Sequence, residues 1–162
     1  MEKLYENSET GCCPRFDPAP WNEKEVSFEG KLFLKDKVKA FMHIPLNFGG
    51  IMVKNMEAIK NADALVEKPL MLYDSKSAFG ADIFIEVTKE ISGRETVKMP
   101  GKFLSKVFEG NFKDSGKWIK EMQSFVKSKG KIPEKMYFFY TTCPKCAEHY
   151  GKNYTVIFAK IE

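Results

Sequence analysis

Residues 102–130, KFLSKVFEGNFKDSGKWIKEMQSFVKSKG, pass from one backbone period to another and so decide how the chain is read. In the first eight residues Phe103, Ser105 and Val107 alternate with Leu104, Lys106 and Phe108, the period of a strand. Glu109-Gly110 then turns the chain, and Asp114 or Ser115 is placed to cap a helix over 116–129. That helix carries Trp118, Met122, Phe125 and Val126 on one stripe. Gly130 suits its C-terminal end and Pro133 blocks extension. Two further strands follow, the aromatic run Met136–Thr142 and the closing segment Asn153–Ile161, with a loop over Cys143–Gly151. The unit reads βαββ.

The same order stands upstream, its leading strand starting about 60 residues earlier. Val38–Leu46 reads as one strand, with Val38, Ala40, Met42, Ile44 and Leu46 on one face and Lys39, Phe41 and His43 on the other. Gly49-Gly50 breaks it, and Met52, Met56 and Ile59 place a helix over about Ile51–Asn61. Leu70–Tyr73 is a short strand, Asp74–Gly80 a turn, and Asp82–Ile91 a longer strand with Ile83, Ile85 and Val87 opposite Asp82, Phe84 and Glu86. Ahead of this copy lie a proline-broken arm, 1–21, and a predicted hairpin over Val26–Leu34 turning at Glu29-Gly30. The expected fold is α+β: residues 1–37 as arm and hairpin, then 38–162 as duplicated βαββ repeats. Their antiparallel sheet carries two helices on one face and a ligand cleft on the other.

Composition narrows the function. The 162 residues are 43% hydrophobic, enough for a sizeable core. The net charge is +4, but lysines and glutamates are interspersed and Arg15 and Arg94 are the sole arginines, so nucleic-acid binding has no support. No apolar run approaches the roughly 20 residues of a membrane span, and no signal peptide opens the chain, so a cytoplasmic protein is expected, as a monomer or homodimer. Fourteen Phe and six Tyr are more aromatics than such a core needs and fit either an aromatic surface or pocket or a Phe-rich core.

Gly101-Lys-Phe-Leu-Ser-Lys-Val-Phe-Glu-Gly-Asn-Phe112, followed by the helix with an early Trp118, resembles the GyrI-like small-molecule-binding family over about Val38–Ile161. The arm, with Gly11-Cys-Cys-Pro-Arg-Phe-Asp-Pro18 and Trp21, looks like that of a bacterial and archaeal branch sometimes labelled hydrolase. The resemblance implies a cleft between the repeats for amphipathic, often aromatic or cationic compounds. Asn111 and Phe112 depart from the family's Pro-Tyr turn, and no helix-turn-helix is present. Asn153 precedes Tyr154 where the family often has a pocket glutamate, so that role is lost or passes to Glu86 or Glu109.

Strand phase makes His43, Phe84, Glu86, Lys106, Phe138, Tyr140 and Tyr154 candidates for the cleft. Among them a poorly solvated carboxylate can meet a cation or serve as a general base. Each also has an ordinary reading: Glu86 paired with Lys106, Glu109 beside the helix N-terminus, His43 a structural histidine, Trp118 core, the tyrosines strand packing. Cys143-Pro-Lys-Cys146 with Cys12 and Cys13 fits a structural zinc, reactive thiols or plain reduced cysteines, and His149 competes as a ligand. Three functions follow. The leading one is binding of an amphipathic or aromatic small molecule by Lys106, Trp118, Tyr154, His43 and Phe84. The others are a hydrolase in which Glu86 or Glu109 activates water and Tyr140 assists, and a protein-interaction module.

Overall fold

The computed structural model describes residues 16–42, 44–67, 69–141, 151 and 153–161. In chain order its elements are β1 (Lys24–Ser27), β2 (Leu32–Phe41), β3 (Ile44–Pro45), α1 (Phe48–Asn61), β4 (Met71–Ser77), β5 (Gly80–Val87), β6 (Thr96–Lys98), β7 (Lys102–Glu109), α2 (Ser115–Ser128), β8 (Lys135–Tyr140) and β9 (Tyr154–Lys160). The fold is α+β and the strand pairings described below are antiparallel. The chain forms two compact units, Phe28–Pro100, and Met1–Ser27 together with Gly101–Glu162. Each contains a strand, a helix and two strands in that order. No helix among the described residues is long and apolar enough to cross a membrane.

In the unit Phe28–Pro100 the strands lie in the order β4-β5-β2, and the outer edge of β2 takes β6 at its start and β3 at its end. Register runs from Leu32 opposite Val87 to Lys39 opposite Gly80. Leu34, Asp36 and Val38 therefore share a face with Ile83 and Ile85. α1 covers this face, because its Asn55 Nδ2 donates to Asp36 Oδ2 at 2.9 Å. The reverse face carries Phe33 and Lys35 beside Glu86 and Phe84, with Leu72 across from Phe84. Burial of Ile59, Leu34, Val38, Ile83 and Ile85 supplies the main drive for this half.

In the other unit the order is β1-β7-β9-β8. Leu104 and Phe108 of β7, with Ile157 and Ala159 of β9, meet Trp118, Met122 and Val126 of α2. The predicted stripe of this helix is the one that is buried. The reverse face carries Phe103, Phe158 and Tyr137, and the arm lies against it. Trp21 packs edgewise on Phe158 at 5.5 Å, and Phe16 reaches Phe139 at 6.0 Å and Tyr154 at 5.8 Å. The Ser105 hydroxyl donates to the Trp21 carbonyl at 2.6 Å, fixing the arm to β7.

Five expectations are corrected. The hairpin over Val26–Leu34 does not form: Gly30 turns the chain at φ 80°, but β1 pairs with β7 and β2 with β5. Val38–Leu46 is not one strand, since β2 ends at Phe41 and β3 folds back along it, with Met42 in the turn at φ 51°. α1 starts at Phe48, so Gly49 and Gly50 open the helix and break nothing. β4 runs on to Ser77. Asp114 is the N-cap of α2, yet its side chain makes no capping bond.

Candidate functional site

The end of β7 and the first turns of α2 enclose an open groove of about 370 Å³. Phe108 and Trp118 lie beneath it, stacked at 5.7 Å and 22° and each 5% exposed, so that the core pair shows the groove only its edge. Asp114 and Glu121 of the helix side line it with Lys106 and Lys117; Glu109 lines it from the end of β7, where strand alternation turns its side chain to the Tyr154 face and away from Phe108. The turn between strand and helix is shaped by Gly110 at φ 138°, a conformation that favours glycine. Asn153 holds that turn: its backbone carbonyl accepts from Gly110 N at 3.0 Å, and its Nδ2 donates to Gly110 O at 2.6 Å. Asn153, standing where the resemblance places a pocket glutamate, thus positions the turn that carries Glu109.

Lys106 is committed elsewhere in its own unit. Its Nζ lies 3.2 Å from Glu23 Oε1 and 5.3 Å from the centre of the Phe125 ring. Glu23, at the end of the arm, offsets one of the two lysines that line the groove and leaves its field more favourable to a positive guest.

The second carboxylate of interest, Glu86, lies on the α1-free face of its unit and is 8% exposed. Its Oε1 accepts the Leu70 backbone N–H at 3.1 Å and its Oε2 meets Lys31 Nζ at 2.9 Å. The partner is Lys31, not Lys106. Phe84 lies two residues away on the same face with Lys35 Nζ 6.0 Å from its ring, and Asp82 continues the row, 3.7 Å from Lys76. On the opposite face burial opposes the charge of Asp36, but the Asn55 amide, the Lys37 N–H, Lys54 and Arg94 outweigh it and hold the carboxyl below its ordinary 3.8. Burial pushes the Tyr73 phenol above its ordinary 10.0.

Lys106, Glu109 and Trp118 are therefore brought to one groove. Tyr154 is the cross-strand partner of Glu109. Tyr140 pairs with Thr155 and so points to the opposite face from Tyr154, where it stacks on Phe138 at 6.1 Å. Tyr140 and Tyr154 do not line one wall. Glu86 and Phe84 belong to the other unit. His43 and all four zinc candidates, Cys12, Cys13, Cys143 and Cys146, lie outside the described residues, as does His149. Among the described residues no three His, Cys, Asp or Glu side chains are grouped to hold a metal ion. The sequence points to Asp114 only as a helix cap and to Asn153 only as a departure from the family's glutamate, and it does not single out Glu121. The one usable signal was Glu121 three residues beyond Trp118, which puts both on neighbouring positions of one helix.

Three comparisons place the chain among known proteins. In solved structures the fold is shared with a hydrolase from Listeria innocua, at TM-score 0.63 and 12% identity over 87% of this chain and 92% of that one. It is shared with an uncharacterized conserved protein from Listeria innocua, at TM-score 0.64 and 14% identity over 87% and 92%. It also resembles the protein SAV2435 solved bound to tetraphenylphosphonium, at TM-score 0.50 and 14% identity over 88% and 93%. No curated protein matches in sequence. The family model described as bacterial hydrolase matches residues 4–161, nearly the whole length, and the chain belongs to that family.

Proposed function

We propose that this protein binds an amphipathic, aromatic small molecule, and that a cationic one fits the groove beside α2 best. One observation carries the reading: the acidic residues Asp114 and Glu121, with Glu109 at the strand's end, line a groove above the stacked Phe108–Trp118 pair. A positive centre gains from these carboxylates, and an aromatic ring gains contact with the edge of the stacked pair that the groove leaves uncovered. That a fold relative is bound to tetraphenylphosphonium, an aromatic cation, supports this chemical class.

Tetraphenylphosphonium is the probe. The chain has two tryptophans, so a Trp21→Phe background leaves Trp118 as the reporter. Saturable quenching of Trp118 is expected, weakened at least about tenfold by Glu109→Gln with Glu121→Gln, roughly 1.4 kcal/mol of binding. Quenching that never saturates, or that ignores both substitutions, removes the proposal.

Hydrolysis is the second reading, favoured by the family to which the chain belongs. In it Glu109, with Tyr154 across the strand pair, or Glu86, with Phe84 beside it, takes the proton of an attacking water. Tyr140 stays a candidate proton donor, and His43 a candidate ligand contact. Binding alone returns the ligand intact, whereas turnover yields a product lost in Glu109→Gln or Glu86→Gln. A co-purifying protein, with no response to small molecules, marks the interaction module instead. Zinc at the four cysteines is read by elemental analysis of protein purified without added metal; below about a tenth of an equivalent, a structural site is discarded.

A further inference from the structure

The unit Phe28–Pro100 ends in an apolar tip that the ligand groove does not use. Phe41 is 59% exposed, Met42 63%, Leu46 68% and Phe79 64%. Backbone bonds tie their segments together. Phe79 O accepts from Ala40 N at 2.9 Å, and Lys39 O accepts from Leu46 N at 2.8 Å. The Phe41 and Phe79 rings lie 6.3 Å apart. Asn47 Oδ1 accepts from Lys39 N at 2.8 Å, which anchors the start of α1 to the same end. Large apolar side chains gathered at one exposed end, from the β2–β3 and β4–β5 turns, cost solubility and mark an interaction surface.

The charge around the tip selects its partner. No Asp or Glu occurs between Asp36 and Glu57, nor between Asp74 and Asp82. The charged residues within those two segments are Lys37, Lys39, Lys54 and Lys76. Lys54 meets Asp36 at 3.6 Å and Lys76 meets Asp74 at 2.8 Å, both behind the tip. Lys37 and Lys39 are exposed on the strand that ends in Phe41. A second copy docking through this tip would set like patch on like patch, with its own lysines facing these and no carboxylate in the tip segments to answer them. An anionic surface with an apolar interior answers both features. We infer that the tip formed by Phe41, Met42, Leu46 and Phe79, flanked by Lys37 and Lys39, docks the protein on an anionic lipid bilayer. The rings enter the headgroup boundary and the lysines meet the lipid phosphates and carboxylates. This is peripheral attachment by the tip alone, compatible with a chain whose described helices do not span a membrane.

The test is co-sedimentation of the full chain with phosphatidylcholine vesicles and with vesicles containing about 30% phosphatidylserine. Binding to the anionic vesicles alone is expected, and its release as salt shortens the screening length. Phe41→Ser with Phe79→Ser, and separately Lys37→Glu with Lys39→Glu, each lower the bound fraction at least about fivefold. Thermal melting verifies that each variant is folded; should the first pair fail to fold, the lysine pair decides alone. No sedimentation with anionic vesicles overturns the inference, as does binding that both variants leave intact. Self-association without lipid that Phe41→Ser with Phe79→Ser abolishes also overturns it, and assigns the tip to a second copy.

Discussion

Asn55 sits on the buried stripe of α1, fully shielded from solvent, where an apolar residue is the usual occupant. Its amide donates to Asp36 Oδ2 and to Ile51 O, each at 2.9 Å, and its Oδ1 accepts from Arg94 Nη1 at 3.2 Å. Removing it leaves a carboxylate and a guanidinium without their common partner. Asn55→Ala is expected to cost about 2–3 kcal/mol in a denaturant titration. Asp36 adds a pH signature. Because its folded-state carboxyl lies below 3.8, its stabilisation is complete above that value and is lost as pH falls through the lower folded one. Asp36→Asn therefore flattens the acid limb of the stability profile below about pH 4. Tyr73 acts at the other end. Its raised phenol stabilises the fold below 10.0, and that contribution is lost as pH rises through the higher folded value.

At the scale of the element, α1 opens on Gly49 and Gly50, where neither needs a left-handed backbone and an added Cβ meets nothing within 4 Å. Glycine there only adds entropy to the unfolded chain. Gly50→Ala should stabilise the protein by about 0.5–1 kcal/mol, read as a rise in the denaturation midpoint at unchanged slope. The same helix shows what sequence can carry. Periodicity identified both helices, because a buried stripe must recur at the helical pitch. It likewise assigned the two faces of β5. The pairing of β1 was hidden, because Val26 meets Phe103 far along the chain and nothing local encodes the partner. Gly49-Gly50 was misleading for a related reason: glycine marks a break by statistics, whereas here Asn47 accepts from Lys39 N and starts the helix before it. Of the groove's lining, strand phase singled out Lys106 and the helix stripe Trp118, whereas Glu109 entered only through the family resemblance. Asp114 and Glu121 were not legible as lining, since an exposed carboxylate on a helix resembles any other until the facing strand is known.

For the whole molecule the consequential fact is that one unit is assembled from both ends of the chain, Met1–Ser27 with Gly101–Glu162. The first segment adds β1 to the edge of β7 and lays Phe16 and Trp21 over the face that α2 leaves open. It accepts the Ser105 hydroxyl through Trp21 O, and the Val107 N–H through Asn22 Oδ1 at 3.3 Å. Ser105 and Phe158 beneath it are both fully buried. A chain lacking residues 1–27 must leave those groups to water, and the loss of packing, of the β1–β7 pairing and of these two bonds amounts to at least about 3–5 kcal/mol. That is a large share of the roughly 5–15 kcal/mol that holds an ordinary domain together. At about 2–4 °C per kcal/mol for a chain of this size, the melting temperature should fall by about 10 °C or more. Trp21→Ala reproduces part of the loss, about 2 kcal/mol, without shortening the chain. Truncation also removes Glu23, which releases Lys106 toward the groove, so tetraphenylphosphonium should bind more weakly than the loss of stability alone explains. Scanning calorimetry with and without the probe separates the two effects. A shortened chain that melts within about 3 °C of the full one, with the same ligand-induced rise, would show that the arm neither supports this unit nor tunes its groove.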